Sequence, residues 1–263
     1  MLSKNRIKYI NSLKIKKFRQ LHESFIVEGS KSVLELLSSD FEIEFVLTTP
    51  DFQQKYSSIL SHHQTLLETV ALSELQGLGS FQTNDSCLAV AKTKENDFLC
   101  AEENEYVLVL DDISDPGNLG TIIRIADWYG IKKIVCSENT TDLYNPKVIA
   151  ASKGSFTRIN IFYTKLTEYL ATNAKNFMVA GAFLGGESLY DFKFTPLGGY
   201  IVMGNESNGV GSEVESFVTH KITIPRVGEA ESLNVGIATA VILDNLRRGE
   251  KNGEGGKPGR QCD

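Results

Sequence analysis

The sequence predicts an α/β protein with a mostly parallel C-terminal sheet, preceded by a smaller α/β domain. Three observations predict it. From Tyr106 onward, short apolar runs alternate with helix-length amphipathic segments, the pattern of strand–helix–strand units. The first of these runs, Tyr106 to Leu110, is almost continuously apolar, as in a strand buried on both faces. The polar, acidic stretch 94–105 has the composition of a linker and separates this half from the residues before it. The expected division is therefore 1–93, a linker at 94–105, a main domain at 106–249 and a disordered Gly-rich tail at 250–263.

In chain order, residues 2–18 read as one basic helix, Phe25 to Val27 as a short strand, and Ser30 to Leu37 as a helix burying Val33, Leu34 and Leu37. Ile43 to Thr48, Leu66 to Val70 and Ser86 to Lys92 read as strands, and Ala71 to Leu78 as a helix. In the second half, Tyr106 to Asp111, Lys133 to Cys136, Phe177 to Phe183, Tyr200 to Met203 and Lys221 to Ile224 are strands. Helices are expected at Leu119 to Tyr129, ended by Gly130, and from Pro146 to Ala151. A last helix runs from Asn234 to Arg248, offering Val235, Ile237, Ala238, Val241, Ile242 and Leu246 for burial. Ligands of such sheets gather beyond the carboxyl ends of the strands.

Composition excludes several classes. No apolar run approaches a membrane span, and the charged N-terminus lacks a signal-peptide apolar core, so a cytoplasmic protein is expected. The four cysteines form no C-x-x-C pair and the four histidines show no ligand spacing; no metal is expected. Cys87, Cys100 and Cys136 are read as small buried hydrophobes. The net charge of −6 hides an asymmetry: residues 1–22 carry seven bases and no acid, Lys14, Lys16, Lys17 and Arg19 among them. This arm reads either as a solvated helix face or as a surface for nucleic-acid phosphates.

Three segments carry candidate chemistry. Asp111 to Arg124 leaves a buried strand, turns at Pro116-Gly117 and enters a helix with Asn118 as its N-cap. Arg124 lies under two turns further on, so both side chains can reach one rim. Ile201 to Gly211 runs from an apolar strand into a loop holding Gly204, Asn205, Glu206 and Gly209, where glycines permit close approach of a ligand to backbone. Ile222 to Val235 ends a strand at Ile224-Pro225 and enters the last helix through Ser232-Leu233-Asn234. Each has a purely structural alternative: capping for Asn118, Ser232 and Asn234, surface pairing for Arg124, and loop bonding for Glu206.

Taken together, Asn118, Gly120 and Arg124, then Gly204, Glu206 and Gly209, then Pro225 with Ser232-Leu233-Asn234 resemble the three motifs of the SpoU (TrmH) family within the SPOUT methyltransferases. Phe25-Ile26-Val27-Glu28-Gly29 resembles a piece of that family's N-terminal substrate-binding domain. The resemblance implies a deep trefoil knot near the C-terminus, a homodimer, S-adenosylmethionine as cofactor, and methylation of a ribose 2′-hydroxyl of tRNA or rRNA, with no DNA partner. It implies donor contacts at Gly204, Ile224 and Leu233, with Asn205, Gly209 and Pro225 around them. Catalytic roles fall to Arg124, Asn118, Glu206, Ser232 and Asn234. Ala150 departs from the pattern where the family often carries an arginine; Lys153 nearby is a possible substitute in phosphate binding. The rival readings are a non-catalytic RNA-binding module, a dinucleotide enzyme, disfavoured by the missing G-x-G-x-x-G, and a partner-binding protein.

Overall fold

The computed structural model describes residues 2–80 and 86–253. They form two compact units, one of the chain up to Asn96 with Asp115–Arg124 and Thr141–Arg158, the other of Asp97–Ser114, Ile125–Thr140 and the chain from Ile159 on.

The first unit begins with α1 (Lys4–Ser12) and α2 (Lys16–His22). The single helix expected over 2–18 is broken between them at Leu13 and Lys14, whose carbonyls accept from the Arg19 guanidinium. Glu23, in the left-handed region, ends α2. There follow β1 (Ser24–Glu28), α3 (Ser30–Leu37), β2 (Ile43–Thr48), the short helices α4 (Pro50–Lys55) and α5 (Ser57–Leu60), β3 (Leu67–Thr69), α6 (Leu72–Gln76) and β4 (Cys87–Lys92). The strands order β1-β4-β2-β3; β4 runs antiparallel to both neighbours and β3 parallel to β2. Ile10, Leu13, Ile26, Leu47, Leu75 and Leu88 fill one side of this sheet. Phe25 packs with Phe41, Tyr144 and Phe156.

The second half contains β5 (Glu105–Leu110), α7 (Pro116–Trp128), β6 (Lys133–Ser137), α8 (Pro146–Ser152), β7 (Asn160–Thr164), α9 (Leu166–Asn173), β8 (Met178–Ser188), β9 (Gly198–Met203), α10 (Ser212–Glu215), β10 (His220–Thr223) and α11 (Val235–Gly253). The sheet order is β10-β8-β9-β5-β6-β7, and every pairing in it is parallel. β5 and β9 are buried almost throughout, as parallel strands covered on both faces must be. Their core includes Val107, Val109, Val135, Tyr200 and Val202.

The acidic stretch before β5 is not a free linker. Ala101 is buried, its N–H donates to the Tyr200 hydroxyl, and Lys133 Nζ reaches the Cys100 carbonyl, Glu102 and Glu105 at 2.7–3.1 Å. Buried Ala101 and the pairing of Glu102 and Glu105 with Lys133 supply the anchorage. α11 continues past Arg248 to Gly253; the rest of the expected tail, Cys262 included, lies outside the described residues. Cys87 and Cys136 are buried and Cys100 half-buried. Among the described residues no helix is long and apolar enough to cross a membrane.

Candidate active site

The carboxyl ends of β8, β9 and β10 open on a cleft of about 790 Å³, within the range of small-molecule sites. One wall is the loop after β9. Asn205 and Gly209 exchange both backbone hydrogen bonds at 2.8 and 2.9 Å, closing the loop on itself. A Cβ on Gly204 would overlap the backbone of Gly209 and Val210, so this closure requires glycine there. Gly209 sits at φ +67°, a left-handed conformation that glycine adopts without strain.

The Asn205 side chain is committed to the same loop. Its Oδ1 accepts from the N–H groups of Ser207 and Asn208 at 2.8 and 3.3 Å, and its Nδ2 donates to the Asp112 carbonyl at 2.8 Å. Asp111, in turn, accepts from the Gly211 N–H at 2.8 Å. The loop is thereby tied at both ends to the strand end of β5. Sequence reasoning opened its first candidate segment at Asp111 but assigned no role to Asp111 or Asp112. Asp112 sits at φ +55°, held by Ser137, whose Oγ accepts from its N–H at 2.9 Å and donates to its Oδ1 at 2.8 Å.

The opposite wall comes from β10 and the approach to α11. Ile224, Pro225, Ser232 and Leu233 all line the cleft, with Glu206 at its rim. Arg226 donates to the Ala230 carbonyl at 3.1 Å and folds the intervening segment back. Asn234 does not line the cleft: its Oδ1 accepts from the N–H groups of Gly236 and Ile237 at 3.0 and 3.4 Å and caps α11. The second and third segments therefore meet in one cavity: Gly204, Asn205, Glu206 and Gly209 with Ile224, Pro225, Ser232 and Leu233.

The first segment is placed on α7. Asn118 is not the N-cap: α7 starts at Pro116, and the capping side chain is Asp115, whose Oδ1 accepts from the Asn118 N–H at 2.8 Å. Gly120 is a packing residue, since a Cβ there would stand 2.5 Å from Ala151 Cβ and 2.6 Å from the Val148 carbonyl of α8. Arg124 is exposed and has no polar partner among the described residues. Neither Asn118 nor Arg124 lines the cleft.

Of the basic arm, Lys16 and Lys17 are exposed. Lys14 is half-buried and donates to the Gly79 carbonyl at 3.0 Å. Arg19 departs from the expected phosphate-binding role. It is 4% exposed, with Nε and Nη2 on Asp142 Oδ2 at 3.1 and 2.6 Å and Nη1 on the Leu13 and Lys14 carbonyls. A guanidinium making four such hydrogen bonds holds the fold rather than facing solvent.

A family model described as the SpoU rRNA methylase family matches residues 105–244, and one described as an MRM3-like substrate binding domain matches residues 4–89. The 23S rRNA (guanosine(2553)-2′-O)-methyltransferase RlmP of Bacillus subtilis is 29% identical over 245 residues, 92% of this chain and 96% of that protein. A solved structure from Porphyromonas gingivalis, assigned to the TrmH family of RNA methyltransferases, has 33% identity and a TM-score of 0.81 over 94% of this chain and 99% of its own. The AdoMet-bound rRNA methyltransferase of Sinorhizobium meliloti has 26% identity and a TM-score of 0.83, over 94% of this chain and 96% of its own. The chain belongs to the SpoU rRNA methylase family.

Proposed function

We propose that the chain transfers the methyl group of S-adenosylmethionine to a ribose 2′-hydroxyl of ribosomal RNA. The observation that carries this reading is the convergence of two chain-distant segments on one cleft at the carboxyl edge of a parallel sheet. The residues present fit the cofactor. The half-buried Ile224 and the exposed Leu233 offer an apolar face for an adenine, and the closed loop at Gly204 presents backbone rather than side chain. When bound, the cofactor supplies a methyl group on a sulfonium, a good leaving group.

The chain's own residues would do the rest. Asn205 and Gly209 hold the wall, and Pro225 fixes the direction of the opposite one. Glu206 and Ser232 orient polar groups at the cleft, and Asn234 sets the start of α11. Asn118 and Arg124 act on the ribose: an arginine stays protonated in proteins, so Arg124 stabilises the charge that develops on the hydroxyl oxygen while the hydroxyl proton passes to solvent water. Its guanidinium, exposed and without a polar partner among the described residues, supports this role. The loops Gly204–Gly211 and Pro225–Asn234 are where the family's trefoil knot would be tied. Leu184, Val227 and Leu233 are exposed apolar side chains on the cleft, which supports a homodimer that covers them. Residues 1–93 would bind the RNA, with Lys16, Lys17 and Lys14 meeting phosphates, in the cytoplasm.

The test is Arg124→Ala. Methyl transfer to ribosomal RNA is expected to fall roughly 100-fold, with S-adenosylmethionine affinity by calorimetry unchanged. A variant that methylates at the parental rate removes the arginine from the mechanism. A parental protein that binds no S-adenosylmethionine leaves a non-catalytic RNA-binding module.

A further inference from the structure

Asp112 turns the chain at the end of β5 in the left-handed region, at φ +55°. A residue with a Cβ stays there only where its surroundings hold it. Two buried hydroxyls at the end of β6 supply the hold. Ser137 Oγ accepts from the Asp112 N–H at 2.9 Å and donates to its Oδ1 at 2.8 Å, gripping backbone and side chain together. Thr140 Oγ1 stands 2.9 Å from Ser137 Oγ, accepts from the Ile113 N–H at 3.3 Å and reaches the Leu110 carbonyl at 3.2 Å. The chain is thus fixed on both sides of the turn.

The turn decides where the Asp112 carbonyl points. That carbonyl accepts from Asn205 Nδ2 at 2.8 Å. The other end of the Asn205 amide is engaged inside its own loop, by the N–H groups of Ser207 and Asn208. The amide therefore bridges the loop after β9 to the end of β5. Asn205 and Gly209 line the cleft and pair with each other across the loop, whereas Ser137 and Thr140 do not line it. A rotation of the peptide after Asp112 would withdraw the carbonyl and release Asn205. We propose that Ser137, which lies outside all three candidate segments, is a positioning residue for the methyl donor. By holding Asp112 in its left-handed turn it aims the carbonyl at Asn205 and keeps the Gly204–Gly209 wall closed. The identity of the ligand rests on the methyltransferase reading; the clamp is a property of the unliganded chain.

Three variants separate positioning from general stability. Ser137→Ala removes both bonds to Asp112. Asp112→Asn keeps an acceptor for the Ser137 hydroxyl on a residue that tolerates the left-handed region. Ser137→Ala combined with Asp112→Gly removes the clamp but makes the turn one that needs no holding. Hydrogen exchange by NMR on the unliganded chain reads the wall through the Asn205 and Gly209 N–H groups that close the loop. Their exchange should be roughly tenfold faster in Ser137→Ala, parental in Asp112→Asn, and largely restored in the double variant, with the N–H groups of α11 unchanged. Affinity for S-adenosylmethionine by calorimetry should follow the same order, roughly tenfold weaker in Ser137→Ala at unchanged stoichiometry. Parental exchange in Ser137→Ala, a loss that Asp112→Gly does not recover, or equal acceleration across the whole chain would overturn the clamp. Faster exchange with parental affinity overturns the donor role alone. A parental chain that shows the exchange pattern yet binds no S-adenosylmethionine overturns that role together with the methyltransferase reading.

Discussion

Removing the Asp142 carboxylate would leave the buried Arg19 guanidinium with the Leu13 and Lys14 carbonyls as its partners among the described residues. Asp142→Ala is therefore expected to destabilise the protein by ~3–5 kcal/mol, read as a lower urea midpoint. The apolar double change Arg19→Met with Asp142→Leu should recover most of that loss, because no charge is then stranded. Asp111 makes a different prediction. Burial raises its carboxyl above the ordinary 3.8, the Gly211 N–H lowers it and the nearby Asp112 charge raises it further. With the folded value above the unfolded one, the folded state binds the proton more tightly. Stability from this group is then greatest at pH below 3.8 and falls as pH rises through the raised folded value. Urea titrations across that window should show this slope reduced in Asp111→Asn.

The closed loop after β9 depends on one glycine. Gly204→Ala pushes a methyl group into the Gly209 and Val210 backbone, so the loop must open. S-adenosylmethionine affinity is expected to drop at least roughly tenfold by calorimetry, an overpacking effect of about 1–3 kcal/mol, while circular dichroism stays that of the parent. At this scale the sequence was a good guide where apolar patterning is strong: Ile43–Thr48 coincides with β2, and β5 and β9 lie within a residue or two of the expected runs. It was a poor guide at the sheet edge. β7 escaped notice because an edge strand keeps only half-buried side chains and lacks the dense apolar signature of a central one. The two-helix break at Leu13 carries no Gly or Pro to announce it. The segments lining the cleft were legible as Gly-rich and Pro-bounded loops. The Asp111–Gly211 and Asn205–Asp112 ties were not, since they are long-range bonds that local pattern does not encode.

For the molecule as a whole, charge distribution outweighs net charge. An overall −6 coexists with a base-only N-terminal stretch, so affinity for ribosomal RNA should fall as salt rises. Replacing Lys16 and Lys17 with alanine should flatten that log–log dependence by roughly one to two units, measured by filter binding at several salt concentrations. An unchanged slope would place the phosphate contacts elsewhere.

The parallel pairing of β5 with β9, Glu105 opposite Gly198, also bears on synthesis. Until β9 leaves the ribosome, β5 has β6 on one side and, on the other, a bare edge of unpaired backbone groups on a largely apolar strand. Nascent or truncated chains ending before Gly198 would thus display a ready template for intermolecular strand addition. Premature termination in that interval should yield insoluble fragments that rely on chaperones, whereas chains extending beyond Met203 can cover the edge themselves.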